Sequence, residues 1–185
     1  MSPAIDRPAA IRRALRELVA ERGFHGTSMG AIAERAGVAT GTAYVHYVSK
    51  EELVYATYVE LKHELGAAVL DEMDVSAPPH ERWGHVMRTA YAFLAAEPTR
   101  ARFLTQLEES PFRRAAQARL DDEGNALHDM AADPELAELL VDLPPEVINA
   151  LSFGVAVRMV AAGVRLEPEE VDRLVEATWR AITTP

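Results

Sequence analysis

Thr27-Ser28-Met29-Gly30-Ala31-Ile32-Ala33-Glu34-Arg35-Ala36-Gly37-Val38-Ala39-Thr40-Gly41-Thr42-Ala43-Tyr44-Val45-His46-Tyr47 is the stretch on which the fold turns. A hydroxyl pair opens it, small apolar positions follow, and Gly37 interrupts the run. The pattern predicts a short helix, a turn of about three residues with glycine in the left-handed region, and two turns of a second helix. Ala33 leaves room for the two helices to cross closely. Upstream, AAIRRALRELVAER (9–22) puts Ile11, Leu15, Leu18 and Val19 on one face and stops at Gly23, so a third helix closes a small head.

The outward face of the second short helix has the chemistry of a major-groove reader. Thr40 and Thr42 reach base edges or phosphates, while Gly41 and Ala43 keep the surface low for close docking. Tyr44 and His46 donate to phosphate oxygens, Thr27 and Ser28 hold the backbone at the preceding helix, and Lys50 meets it from the flank, beside free N–H groups of the next helix. Tyr47, three past Tyr44 on the turning face, is expected in the core. Gly30 offers no side chain to DNA, and Ala39 cannot cap the helix that follows it.

From Ile11 to Leu53 the chain resembles the DNA-binding region of the TetR regulators. The residues that carry the resemblance are Ala20-Glu21-Arg22-Gly23-Phe24, Thr27-Ser28, Ile32 to Val38, Gly41-Thr42, Tyr44, His46-Tyr47 and Ser49-Lys50-Glu51-Glu52-Leu53. The resemblance implies an all-α homodimer: an N-terminal three-helix helix-turn-helix head, and a C-terminal helical body for ligand binding and dimerisation. It usually implies a repressor. The expected division is a head at 5–65, with the helix-turn-helix at about 28–47, and a body at 66–185.

Charge is distributed to match. The first 50 residues hold seven Lys and Arg against four acids, a net of +3, while the chain as a whole stands at -10. A basic head on an acidic body lets only the head approach phosphates. With no cysteine among 185 residues there is no disulfide framework, thiolate zinc site or cysteine nucleophile. No apolar run follows a basic leader and none reaches membrane-spanning length, so a cytoplasmic protein without membrane contact is expected.

The body is read from periodicity alone. Asp133-Pro134 and Ser110-Pro111 are cap-and-proline pairs that start helices, and residues 50–73 read as one helix linking head to body. The segment from Pro145 to Gly163 is apolar on two sides, and with the amphipathic stretch 171–182 it reads as a dimerising helix pair using Leu151, Val155, Met159, Val175 and Trp179. Bulky side chains at Trp83, Met87, Tyr91, Phe103, Leu104, Leu107, Leu127 and Met130 are the candidates for an apolar effector pocket. His63, His80, His85 and His128 lack metal-ligand spacing, and no nucleophile with a base is recognisable. Neither a metal, a cofactor nor an enzymatic activity is expected. The function expected is a regulator, repressing at a palindromic double-stranded operator and released by a small, largely apolar effector. The alternative is a ligand-binding or protein-interaction module on the same scaffold that does not read DNA sequence.

Overall fold

The computed structural model describes residues 6–124 and 133–184, and every regular element among them is a helix. In chain order these are α1 (Arg7–Arg22), α2 (Met29–Arg35), α3 (Thr40–His46), α4 (Lys50–Leu70), α5 (Pro79–Ala96), α6 (Pro98–Glu108), α7 (Arg113–Glu123), α8 (Pro134–Ala137), α9 (Pro145–Leu151), α10 (Phe153–Ala161) and α11 (Pro168–Ile182). The chain forms two compact units, one of residues 6–62 with 102–124, the other of 63–101 with 133–184. Their divisions fall inside α4 and α6. No described helix is long and apolar enough to cross a membrane.

The first unit is built around α1. Its Ile11, Leu15, Leu18 and Val19 are fully buried, as the 3.6-residue periodicity requires, with α2 and α3 packed against the helix; Ile32 and Ala33 of α2, Ala43 of α3 and Leu53 and Val54 of α4 are fully buried in the same unit. Asp6 caps α1 by accepting from the Ala9 N–H at 3.2 Å, and Gly23 ends it at φ +70°. The 102–124 segment joins this unit through aromatic contact. Phe24 packs edge-on against both Phe103 (centroids 5.9 Å) and Phe112 (5.1 Å), and the Tyr58 hydroxyl donates to Gln117 Oε1 at 2.8 Å.

The second unit centres on α5, whose Met87, Ala90, Tyr91 and Leu94 are buried against α10 and α11. Leu65 and Val69, from the far end of α4, join Ala90 with Phe153 and Phe93 around them. His85 Nε2 lies 2.8 Å from the Val69 carbonyl in the last turn of α4, where carbonyls lack intrahelical partners.

The expected single helix from 145 to 163 is broken. Ser152 turns out of helical geometry (φ −121°, ψ −104°) and its hydroxyl donates to the Ile148 carbonyl at 2.6 Å, a side-chain bond that competes with the backbone ladder. Beyond the break the Asn149 carbonyl comes so near Gly154 that a Cβ there would sit 2.9 Å from its oxygen. The bend therefore needs glycine for space. Val157 and Val160 face inward and are buried, while Val147 and Leu151 remain 39% exposed.

Phe103 is fully buried. Phe103→Ala removes an aromatic ring from a closed core and should lower unfolding free energy by about 3–5 kcal/mol in urea titration. A loss under about 1 kcal/mol would mean that the ring lines open space.

Candidate nucleic-acid interface

Helix α2 starts where Ser28 Oγ accepts from the Ala31 N–H at 3.2 Å and ends at Ala36, after which Gly37 takes φ +68°. That left-handed residue turns the chain in three residues into α3, which Ala39 leaves without a side-chain cap. Helix α3 is held from behind. Ala43 is fully buried, and Tyr47, at the helix end, is 6% exposed.

The Tyr47 hydroxyl accepts from Arg12 Nη1, and Arg12 Nη2 pairs with Glu60 Oε1 at 2.5 Å. Arg16 adds Nη1 at 3.7 Å from Glu60 Oε2. One acid of α4 thus gathers two arginines of α1 and, through Arg12, the end of α3. Burial works against the Arg12 charge, yet hydrogen bonding and charge attraction from Glu60 hold its pKa above the ordinary value. Burial likewise raises the Tyr47 phenol, with Arg12 opposing. A second clasp sets α2 on α1: Arg35 binds Glu21 twice at 2.9 Å and Glu17 once at 3.2 Å.

With α2 and α3 anchored in this way, the opposite face of α3 is open. Thr40, Gly41, Tyr44 and His46 are exposed, and Thr42 is half-buried. Tyr44 is 50% exposed, Val45 81% and Val48 79%. Both valines stand apart from the expected Thr40, Gly41, Thr42, Tyr44 and His46 of this face. Position could have found Val45, because it stands four past Gly41 and two past the buried Ala43.

Two of the expected backbone-holding residues are engaged inside the head. Thr27 is 3% exposed and its hydroxyl donates to the Gly23 carbonyl at 2.9 Å, because the residue after a tight GFHG turn is drawn back over the end of α1. Lys50 donates from Nζ to the Phe24 carbonyl at 2.9 Å and the Thr27 carbonyl at 3.1 Å, so the same loop takes two of its three ammonium protons. Ser28 is exposed, but its oxygen is the α2 cap. At the start of α4, Ser49 Oγ accepts from the Glu52 N–H at 3.1 Å and the Glu52 carboxylate accepts from the Val48 N–H at 2.6 Å.

The effector candidates fall in both units. Phe103, Leu104 and Leu107 belong to the first, where Phe103 and Leu107 are core. Trp83, Met87 and Tyr91 belong to the second: Met87 is 1% exposed, the Tyr91 hydroxyl accepts from the Leu166 N–H at 2.6 Å, and Trp83 lies 6.4 Å from Trp179 between ring centroids. Leu127 and Met130 lie outside the described residues. Among the expected dimer residues, Leu151 is exposed and Val155 and Met159 are half-buried. Val175 is 1% exposed, because it faces the core from α11, and Trp179 packs edge-on against His80 at 5.2 Å.

A capped helix, a glycine turn and a second helix with an open outer face, in one unit of an all-helical chain, define a helix-turn-helix DNA-binding protein. Residues 11–57 match the model of bacterial regulatory proteins of the tetR family, and residues 78–183 match the tetracyclin repressor-like C-terminal domain. The chain belongs to the TetR family of DNA-binding transcriptional regulators. It is 26% identical over 170 residues, 89% of each chain, to an uncharacterized HTH-type transcriptional regulator of Haemophilus influenzae. A crystal structure of a TetR-family regulator from Haemophilus influenzae superposes with TM-score 0.77 at 27% identity over 97% of both chains. A 29% identical stretch of 92 residues, covering 50% of this chain and 47% of its relative, is shared with the fatty acid metabolism regulator protein of Bacillus subtilis.

Because Lys50 holds two loop carbonyls, Lys50→Met should lower the unfolding free energy of the DNA-free protein by about 1–3 kcal/mol. Urea titration without DNA checks this; unchanged stability would show that these bonds are not maintained in solution.

Proposed function

We propose that this chain represses transcription as a homodimer on a palindromic double-stranded operator, and leaves it when a small, largely apolar effector enters the body. The observation that carries the reading is the open face of α3, exposed at Thr40, Gly41, Tyr44 and His46 while Ala43 and Tyr47 anchor its back. Thr40, Thr42 and Tyr44 then meet bases or phosphates, His46 meets a phosphate, and the third Lys50 proton is the one left for the backbone. In a symmetric dimer two such helices fit successive major grooves about 34 Å apart, which is why the operator is expected to be palindromic.

The dimer surface is proposed at α9 and α10, through Leu151, Val155 and Met159 with Val147 beside them, since these apolar side chains remain uncovered or half-covered in the protomer. Trp83, Met87 and Tyr91 stand as the effector candidates of the second unit. The Bacillus subtilis relative is named a fatty acid metabolism regulator protein, which makes fatty acids and their thioesters the first small apolar compounds to test. Gly30 and Ala39 remove two contacts or caps, which concentrates reading on α3 rather than abolishing it.

Binding to DNA upstream of the chain's own gene tests the reading. Tyr44→Ala and Thr42→Ala should each weaken binding at least about five-fold, each removing an interaction of the order of 1–3 kcal/mol, without changing unfolding by more than about 0.5 kcal/mol. Saturating fatty acids or their thioesters should release the wild-type complex. Equal affinity of the wild type for operator and unrelated DNA would overturn sequence reading; unchanged affinity across the acyl series would overturn the effector class alone.

A further inference from the structure

Val45 is the most exposed of the large apolar side chains among the described residues, at 81%. Nothing inside the head accounts for a valine there. It packs on no core, and a β-branched residue on an outer helix face is a weaker helix former than alanine. Gly41, one turn earlier, stands on the same face (i, i+4), and a Cβ built on it meets no atom within 4 Å. The protein itself therefore does not require glycine at 41. Together the two residues make a shallow apolar notch: residue 41 has no side chain to stand beside the Val45 isopropyl group one turn on.

The major groove presents donors and acceptors at every base pair, and one apolar group, the thymine 5-methyl. Valine has neither donor nor acceptor. Facing a cytosine amino group or a guanine O6 it would leave a base edge stripped of water and unpaired, which disfavours those bases. Facing a thymine it buries a methyl. We infer that the Gly41–Val45 notch reads a thymine 5-methyl group, one per half-site, and that Val45 is a specificity-determining residue. This rests on the operator-reading role of α3 proposed above. Val48, 79% exposed but beyond the last residue of α3, follows an extended Tyr47 (φ −138°, ψ 113°) and lies outside the notch.

The test uses the full-length protein and an operator selected by it from random duplex DNA. Each thymine of the selected site is replaced in turn by deoxyuridine, which removes only the methyl and keeps base pairing. For the wild type, one position per half-site should lose about four-fold in affinity, the worth of one buried methyl-sized group. Val45→Ala should fold as the wild type does, bind the thymine operator correspondingly less tightly, and show no further loss with deoxyuridine at that position. Val48→Ala should keep the full deoxyuridine effect. A deoxyuridine effect that persists undiminished in Val45→Ala would overturn the assignment, as would a tightly bound selected operator in which no thymine methyl matters. In both cases the operator reading of α3 stands. Failure to select any sequence would instead remove that reading and this inference with it.

Discussion

The head depends on one acid placed between arginines. Glu60 of α4 holds Arg12 and Arg16 of α1, and Arg12 in turn holds the Tyr47 hydroxyl at the end of α3. These groups are mostly withdrawn from water, so each charge needs the others. Losing the acid would leave two guanidinium groups facing a low-dielectric junction, a cost on the order of 3 kcal/mol. The stability such a cluster adds over an apolar replacement is small. Its value is geometric, since a planar fork fixes direction as well as distance.

Geometry is what α3 lacks by itself. Seven residues are far below the length at which a helix persists alone in water, and Ala39 supplies no cap. The helix exists because Ala43 and Tyr47 are seated on α1 and α2. The same seating decides which side chains face outward. A seven-residue helix with its back committed at 43 and 47 has to present 41, 44 and 45, whatever those residues are. Those three positions can therefore change without touching the anchor, which lies on the opposite side of the helix.

Much of this was legible in the sequence because it is local. The glycine turn at Gly37, the Ser28 cap, the buried stripe of α1, the core position of Tyr47 and the Asp133-Pro134 helix start each follow from a few adjacent residues. Helix α4 ends at Leu70, close to the expected 73. What was not legible depends on contacts between distant segments. Thr27 and Lys50 have the residue types of phosphate binders, and only the folded loop shows its carbonyls within 3.1 Å of the ammonium. Phe103 and Leu107 have the composition of a pocket, yet both are buried, and Phe103 packs on Phe24, about eighty positions earlier. Periodicity gives Val175 an apolar face but not the identity of what covers it.

The region 145–161 shows the same limit from the other side. Its two-sided apolar pattern is real, but the backbone does not run straight through it. Ser152 breaks the ladder with its own hydroxyl, and the sharp return past Asn149 brings carbonyl oxygen to where a Cβ at 154 would be. A straight helix would have carried Val157 and Val160 at a fixed angle to Leu151. The break frees the two halves, so that α10 turns Val157 and Val160 into the core while α9 keeps Val147 and Leu151 at the surface. An apolar pattern that exceeds what one core can bury is thus divided at a serine and a glycine, one half covered by the core and the other left at the surface.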